Sequence, residues 1–322
     1  MKIIQLLLLL AAFSLAIASC NKKQNPAARH SVVQPTLAPK ADSSPPAQSA
    51  PVQIPVNYES DALYQQAQSL FHSDIRKAMD LLEAAIAKAP DAAQSAPYYL
   101  LLGKLKKEFE DCQTADTSIE NSKTQCEGFV QYAKARSSEY FYNEVGGDYL
   151  YGGFHFQELE KRFPSSALAV EAAYERTKLS HGGECEGFVD CYIEDAFAPV
   201  RDFLLRYPDS PHTAEAVKRA DGAFRKMLWG DTWKTEWTEI KDPNKATDYY
   251  DPNNLKKLVQ DYEDLAEKLP LRFRATALET VAYYRNKFGE KDRTRALYQR
   301  ILQENPAYDG NAEIRKQLAA LN

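Results

Sequence analysis

The chain has 322 residues, with 40 Lys and Arg against 45 Asp and Glu, a formal charge of −5 and no cluster of basic residues, so a nucleic-acid partner is not expected. Its five histidines show no metal-ligand spacing such as HExxH, and the sequence therefore predicts no metal site and no cofactor.

The first twenty residues have the pattern of a secretory signal, with Lys2 followed by an apolar run and then small residues. Their last four residues, Ile17 to Cys20, resemble the lipobox of bacterial lipoproteins. The resemblance implies a signal peptide over residues 1–19 and a lipid, such as palmitate, on Cys20. Asn21 after it implies the periplasmic face of the outer membrane, with surface exposure left open. The alternative is an uncleaved membrane helix, because about seventeen apolar residues approach the length of a span.

A proline-rich segment follows, and residues 20–57 are predicted to be a lipidated cysteine with a disordered tether. This stretch has seven prolines and almost no large apolar side chain, so burial cannot offset the entropy of ordering it. As a coil, a tether of this length spans roughly 35 Å. We therefore expect it to hold the folded part at a distance from a membrane.

The remaining residues, 58–322, are predicted to form an all-α domain. The clearest window runs from Leu255 to Leu269, where apolar residues recur at the spacing of one helical face. Asp251 and Pro252 have the pattern of an N-cap and a first-turn proline, and Pro270 marks the end of the helix.

Two proline turns indicate an internal repeat. FPSSALAVEA begins at Phe163 and YPDSPHTAEA begins at Tyr207, 44 residues later. Each proline breaks a helix, and Ser166 and Ser210 then stand where the next helix needs an N-cap, with Pro211 at the first helical position of the second copy. Both copies predict a helix, a tight turn and a second helix.

Two further segments carry small residues, apolar residues and a closing proline at the positions where a tetratricopeptide repeat has them: Ala78, Leu82, Ala85 and Pro90, and Tyr298, Ile301 and Pro306. With the proline turns and the lipobox, the chain resembles the periplasm-facing tetratricopeptide-repeat lipoproteins, the class of the outer-membrane protein assembly lipoprotein. The resemblance implies a tetratricopeptide-like helical-repeat solenoid with irregular, disulfide-stapled insertions. Residues 110–155 and 228–252 match nothing in the repeat.

Besides Cys20, the chain has four cysteines, Cys112, Cys126, Cys185 and Cys191. An even number in an exported protein favours disulfides, and of the three possible connectivities the sequence favours 112 with 126 and 185 with 191. The second pair requires a bend at Gly187, because residues six apart in a helix cannot be bridged. The spacing is poor for zinc.

The pentapeptide CEGFV occurs at Cys126 and again at Cys185. A duplicated chemical site is one interpretation, and a nucleophilic Cys185 could be paired with His181 or His155. Because an activated thiol needs a positioned base, which spacing does not establish, we favour duplicated structure. In that interpretation the glycine permits a bend and Phe129 or Phe188 starts a buried face. No catalytic residue is predicted, and the protein is expected not to be an enzyme.

Aromatic residues concentrate in two stretches that form the candidate binding surface: Tyr142, Tyr149 and Tyr151 in a glycine-rich segment expected to be a bent loop, and Trp229, Trp233 and Trp237. Packing between repeats is the alternative, because large aromatic side chains usually lie in the core. As a binding surface they would suit a peptide or a glycan.

These observations predict a lipid-anchored, periplasm-facing scaffold that binds a protein partner in assembly or maintenance of the cell envelope. A glycan- or peptidoglycan-binding module that uses the Tyr-rich and Trp-rich segments is the alternative. In both cases the chain contacts the membrane through its lipid anchor.

Overall fold

The computed structural model describes residues 58–113, 126–183, 185, 187–229 and 250–321, with 226–229 described as backbone alone. These residues form twelve α-helices and one two-stranded β-hairpin. The helices are α1 (Tyr58–Leu70), α2 (Ile75–Lys88), α3 (Ala96–Glu110), α4 (Phe129–Ala135), α5 (Phe154–Arg162), α6 (Ala167–Arg176), α7 (Val189–Arg206), α8 (Thr213–Trp229), α9 (Pro252–Lys268), α10 (Leu271–Lys287), α11 (Lys291–Glu304) and α12 (Asn311–Ala320). The strands are β1 (Tyr140–Asn143) and β2 (Asp148–Tyr151). The predicted helical fold is thus confirmed at the level of secondary structure.

Helix α9 shows how local sequence sets these elements. Its apolar stripe is buried along its whole length, at Leu255, Leu258, Val259, Tyr262, Leu265 and Ala266. The Asp251 side chain accepts a hydrogen bond from the amide of Asn253 at 2.8 Å, which caps the helix, and Pro252 occupies its first position. Pro270 stands as the N-cap residue of α10. The N-terminal cap, the buried stripe and the closing proline of this helix are confirmed.

Both proline turns join two helices, α5 to α6 and α7 to α8, as predicted. The hydroxyl of Ser166 caps α6 by accepting from a backbone amide at 3.2 Å. Ser210 accepts from the amide of His212 at 3.1 Å, but α8 begins at Thr213 and not at Pro211. The start is later because the amide of Thr213 bonds the carbonyl of Ser210, which closes a turn ahead of the helix.

Most helices that follow one another in the chain pack against each other. α1 packs on α2, α2 on α3, and α3 on both α5 and α6. The pair α7 and α8 packs on the pair α9 and α10, with α7 against α9 and α8 against α10; α11 then packs on α10, and α12 on α11. The described residues fall within one compact unit.

Two hydrophobic cores meet at α6. The first core is built from α1 to α5 and the hairpin and includes Ala169 and Ala172 of α6. The second is built from α7 to α12 and includes Ala173 and Tyr174 of the same helix. The small side chains of the three alanines let neighbouring helices approach α6 closely. Helix α6 therefore belongs to both cores.

The hairpin corrects the expectation that the glycine- and tyrosine-rich segment is a bent loop. Tyrosine recurs with period two in both strands, at Tyr140 and Tyr142 and at Tyr149 and Tyr151, and aromatic side chains favour strands. Gly147 adopts a φ of 70° in the connecting turn, and its amide donates to the carbonyl of Asn143 at 2.8 Å. The pattern is too short to stand out against the helical periodicity around it.

No helix in the described part of the chain combines the length and apolar character needed to span a membrane.

Candidate binding surface

The hairpin places four tyrosines on one face. Tyr140 lies opposite Tyr151 and Tyr142 lies opposite Tyr149 in the antiparallel register. Because side chains alternate between the two faces of a strand, both pairs project on the same side. The two pairs have different surroundings, and only one of them reaches solvent.

The inner pair lies in the core. Tyr140 and Tyr151 are 2% and 1% exposed, and the Tyr140 ring packs edge-on against Phe129 and Tyr132. The Tyr140 hydroxyl donates to the carbonyl of Lys106 at 2.8 Å. For Tyr151, which was assigned to the candidate binding surface, the structure favours the packing alternative, because its ring is enclosed by the first core.

A buried lysine ties the hairpin to the helices beneath it. The Lys106 side chain is fully buried, and its ammonium donates to Glu83 at 2.6 Å, to Glu139 at 2.7 Å and to the hydroxyl of Tyr132 at 2.5 Å. Burial alone would raise the pKa of the Glu83 carboxyl, but the hydrogen bond and charge of Lys106, with Arg136, hold that pKa below its ordinary value. This network joins α2, α3 and α4 to the residue that precedes β1.

His155 is a structural residue of the first core. Burial, reinforced by the positive charges of Lys106 and Arg136, lowers the pKa of His155 to about 3, so the ring is neutral at pH 7. Its backbone amide donates to the Tyr151 hydroxyl at 3.0 Å, and that hydroxyl lies 3.0 Å from Nδ1 of the ring. In the tautomer that carries its proton on Nε2, the neutral ring accepts a hydrogen bond from the Tyr151 hydroxyl at Nδ1, which fixes both rings.

The outer pair is accessible. Tyr142 is 53% exposed, and its ring lies 5.1 Å from the half-buried ring of Tyr149, tilted by 53°. Phe141 on the opposite face and Val145 in the turn are 38% and 54% exposed. We call Phe141, Tyr142, Val145 and Tyr149 the hairpin tip. It is a cluster of exposed apolar and aromatic side chains on a support that is fixed by the core.

A cleft of about 540 Å³ adjoins the hairpin tip, between the hairpin, α5, α6 and α7, with Phe141 on its wall. Glu160 stands in it and pairs with Arg176 at 2.9 Å and with Arg206 at 2.7 Å. On the side of α7, Asp195 lies 3.7 Å from the ring of His181. The cleft could take a side chain of a bound molecule beside Phe141.

Both favoured disulfides are present, Cys112 with Cys126 and Cys185 with Cys191. Cys185 is therefore not a free thiol, and its proposed pairing with a histidine base does not form. The loop ahead of Cys185 contacts the hairpin, because the amide of Gly183 donates to the side chain of Asn143 at 3.3 Å. The second disulfide thus fixes a loop that packs beside the hairpin tip.

The two CEGFV copies start helices in slightly different ways. Gly128 and Gly187 both adopt positive φ, 75° and 84°, which confirms the predicted bend. Phe129 begins α4 and is buried, as predicted, whereas α7 begins at Val189. The amide of Phe188 bonds the carbonyl of Cys185 at 2.7 Å, so the turn takes one residue more and Phe188 stays half-buried.

The remaining predicted site residues lie outside what the structure describes. Cys20, Trp233 and Trp237 belong to stretches that it leaves out, and Trp229 is the last residue of α8 without a described side chain. The proposed lipid site and tryptophan strip therefore stay predictions.

Comparison with known proteins adds no family. No protein-family model matches the chain. No curated protein matches it significantly.

Within the residues that the structure describes, no group of three or more His, Cys, Asp or Glu side chains is placed to hold a metal ion. The hairpin tip is the candidate binding surface of the described residues.

Proposed function

We propose that this protein is a lipid-anchored scaffold on the periplasmic face of the outer membrane that binds a protein partner during assembly or maintenance of the cell envelope. The observation that carries the proposal is the hairpin tip, where Phe141, Tyr142 and Val145 expose apolar surface next to an open cleft. Aromatic side chains held on a rigid support are typical of protein interfaces.

The helix packing supports the repeat part of the proposal. Two proline turns each join a helix pair, and the pair α7 and α8 stacks on the pair α9 and α10 with first helix against first and second against second. A tetratricopeptide-like array stacks its units in this manner, and such arrays present extended surfaces to partners. The hairpin is an insertion between α4 and α5 and would give this chain a contact surface of its own.

The membrane part of the proposal rests on the sequence. The lipobox-like residues Ile17 to Cys20 would supply the anchor, and the proline-rich segment after them would supply the reach. A lipid anchor with several acyl chains holds a protein firmly, since each buried methylene contributes about 0.8 kcal/mol.

Binding of glycan strands is the second candidate. The exposed ring of Tyr142 beside that of Tyr149, 5.1 Å away, is the observation that favours it, because sugar rings stack on aromatic faces. In this case the tip would bind peptidoglycan directly.

Chemical crosslinking in intact envelopes followed by purification tests the proposal. The native chain is compared with a Phe141→Ser, Tyr142→Ser variant and with Leu271→Ser, a control that removes a similarly exposed side chain, 54% exposed, at the start of α10. We expect the tip variant to lose crosslinked proteins that the control retains. Recovery of the same proteins by all three chains would contradict it. Sedimentation with purified peptidoglycan, lost in the tip variant alone, would instead support the glycan candidate.

A further inference from the structure

Each disulfide lies beside a segment that contacts the hairpin. Cys112 belongs to a short 3₁₀ turn, Asp111–Gln113, at the end of α3, and its bridge ties this turn to Cys126 ahead of α4. The bridge between Cys185 and Cys191 ties the loop after α6 to the first turn of α7. The hairpin therefore has a disulfide-held segment on two of its sides.

The turn that contains Cys112 meets the outer edge of β2. The side-chain amide of Gln113 accepts from the backbone N–H of Tyr149 at 2.5 Å and donates to the Tyr149 carbonyl at 2.6 Å. Two residues along the strand, the Glu110 carboxylate accepts from the N–H of Tyr151 at 2.6 Å. Glu110 belongs to α3 itself, but Gln113 lies beyond the helix, beside the bridge. The two bonds to Tyr149 therefore depend on the bridge, and the bond to Tyr151 depends on α3.

The loop before the second disulfide covers the other face of the hairpin. Phe141 and Leu150 lie opposite each other in the register and project on this face, away from the four tyrosines. A Cβ on Gly182 would lie 3.1 Å from the nearest atom of each side chain, so the loop backbone packs closely against both. The amide of Gly183 also donates to the side chain of Asn143 at 3.3 Å. The loop thus sets how much of Phe141 is exposed beside the cleft.

The helices beneath the hairpin have contacts that need no bridge. Phe129 and Tyr132 of α4 pack on Phe109 of α3, with ring centroids 5.0 and 5.3 Å apart. The Lys106 ammonium joins α3 to Glu139, which directly precedes β1. Reduction of the bridges therefore removes the outer contacts of the hairpin, while these contacts keep the helices in place.

Each bridge can be opened by a dithiol. All four cysteines are partly exposed to solvent. A thiolate of the dithiol attacks one sulfur and forms a mixed disulfide, and its second thiol then displaces the remaining cysteine. The dithiol leaves as a disulfide, and two electrons and two protons pass to the chain, which gains two free thiols.

We propose that the hairpin tip is a redox-sensitive binding surface, which binds the protein partner in the oxidised chain and releases it when the bridges are reduced. Reduction of the first bridge frees Gln113 from Tyr149, one of the residues of the tip. Reduction of the second bridge frees the loop that packs on Phe141, another residue of the tip. This inference rests on the proposed function, since it concerns the control of the same surface.

The compartment in which the bridges exist gives this control a direction. Disulfides form and persist in oxidising compartments, and the thiol systems of the cytosol keep cysteines reduced. A chain that has not been exported therefore lacks the finished tip, and partner binding begins only after both bridges have formed.

Hydrogen exchange at single-amide resolution tests this inference on the purified full chain in detergent. In a Cys112→Ser, Cys126→Ser variant the amide of Tyr149 should exchange about tenfold faster or more, because it loses its hydrogen bond to Gln113. The amide of Tyr151, which is bonded to α3, should change by less than about threefold.

Removal of the second bridge should have a different effect. In a Cys185→Ser, Cys191→Ser variant the amide of Gly183 should exchange faster and that of Tyr149 should not, so each variant is the control for the other. The crosslinking experiment in intact envelopes is then repeated with both variants, and each should lose the proteins that the native chain captures through the tip.

Unchanged exchange of the Tyr149 or Gly183 amide in its own variant, or capture of the same proteins by the native chain and either variant, would overturn the inference. If a serine variant does not fold, the folded native chain is reduced with dithiothreitol, and its thiols are blocked with iodoacetamide before exchange is measured. Loss of protection in α9 under these conditions would show that the bridges hold the whole fold, which would also overturn the inference.

The crosslinked proteins separate this inference from the proposed function. Capture of the same proteins through the tip by the oxidised and the reduced chain would leave the proposed function standing and remove this inference alone. A native chain that captures no protein through the tip would remove the proposed function, and this inference with it.

Discussion

At the residue scale, two buried tyrosines in the second core form a natural pair for comparison. Tyr262 and Tyr284 are 0% and 1% exposed, and both rings contact Phe224. The Tyr284 hydroxyl donates to the carbonyl of Phe224 at 3.1 Å, whereas the Tyr262 hydroxyl has no hydrogen-bond partner among the described residues. The fold thus buries one satisfied hydroxyl and one unsatisfied hydroxyl in the same cluster.

We expect Tyr262→Phe to stabilise the protein by about 1 kcal/mol, because it removes a buried polar group that makes no bond. Tyr284→Phe should destabilise it by about 1 kcal/mol, because the carbonyl of Phe224 loses its donor. Urea unfolding of the two variants and the native chain measures both effects. A loss of stability in Tyr262→Phe as large as in Tyr284→Phe would contradict the assignment.

His155 should make stability depend on pH. Its pKa is lowered from 6.5 to about 3 in the folded chain, so between these values the unfolded chain binds a proton that the folded chain does not. The free energy of unfolding should therefore fall as the pH falls below about 6.5, by up to about 1.4 kcal/mol per pH unit.

Unfolding of the native chain and of His155→Gln at pH 7, 6, 5 and 4 measures this contribution as the difference between the two. Glutamine keeps an acceptor for the Tyr151 hydroxyl but does not titrate. His181→Gln, at an exposed position, is the control and should follow the native chain. Parallel pH profiles for the native chain and His155→Gln would show that the ring is not buried as described.

At the element scale, the Lys106 network holds α2, α3, α4 and the hairpin together. Lys106→Met should destabilise the protein by about 2 to 3 kcal/mol, because the carboxylates of Glu83 and Glu139 lose their buried counter-charge. The value lies below that of a fully buried pair, since Glu83 is one third exposed. Lys88→Met is the control: its partner Glu59 is exposed, and a change below about 1 kcal/mol is expected.

The same network should weaken in acid. The pKa of Glu83 is depressed in the folded chain, so its contribution is present above its ordinary pKa of 4.5 and is lost as the pH falls through the folded value. The difference in unfolding free energy between the native chain and Lys106→Met should therefore shrink below pH 4.5. A difference that is constant from pH 7 to pH 3 would exclude Glu83 as the group that responds.

Elements that depend on local chemistry could be predicted from the sequence. The stripe and cap of α9, the serine cap after Phe163 and both disulfides follow from spacing along the chain. The Lys106 network and the burial of Tyr151 did not follow, because each depends on side chains far apart in sequence. The hairpin is local, but its four-residue strands are too short to stand out against the helical periodicity around them. In the sequence, Lys106 looks like an ordinary lysine on a helix. Its partners Glu83 and Glu139 lie 23 and 33 residues away along the chain, and only the fold places them beside it.

At the scale of the whole molecule, the lipid anchor at Cys20 is predicted from the sequence alone. Cys20→Ser should release the protein from membranes. Without the cysteine no lipid is attached, and a chain whose signal peptide has been removed then has no membrane anchor. Labelling with radioactive palmitate and fractionation of cells measure this. Membrane association that persists in Cys20→Ser, with no label on the native chain, would favour the uncleaved membrane helix.

The candidate site could be predicted from the sequence only in part. The sequence located the Tyr-rich segment, and Tyr142 and Tyr149 lie at the hairpin tip. It could not separate them from Tyr151, since that distinction depends on which pair of the register enters the core. Phe141 belongs to the same aromatic segment, but its exposure could not be predicted, and Val145 had no signal of its own. The hairpin turns both side chains outward.

Helix α6 has a kinetic consequence. Ala169 and Ala172 face the first core and Ala173 and Tyr174 face the second, so a backbone amide of α6 becomes free to exchange with solvent only when the helix leaves both. Native-state hydrogen exchange should therefore find the amides of α6 among the slowest in the chain, although the helix is only ten residues long. Any local unfolding that separates the two hydrophobic cores would begin in other helices, and α6 would unfold last.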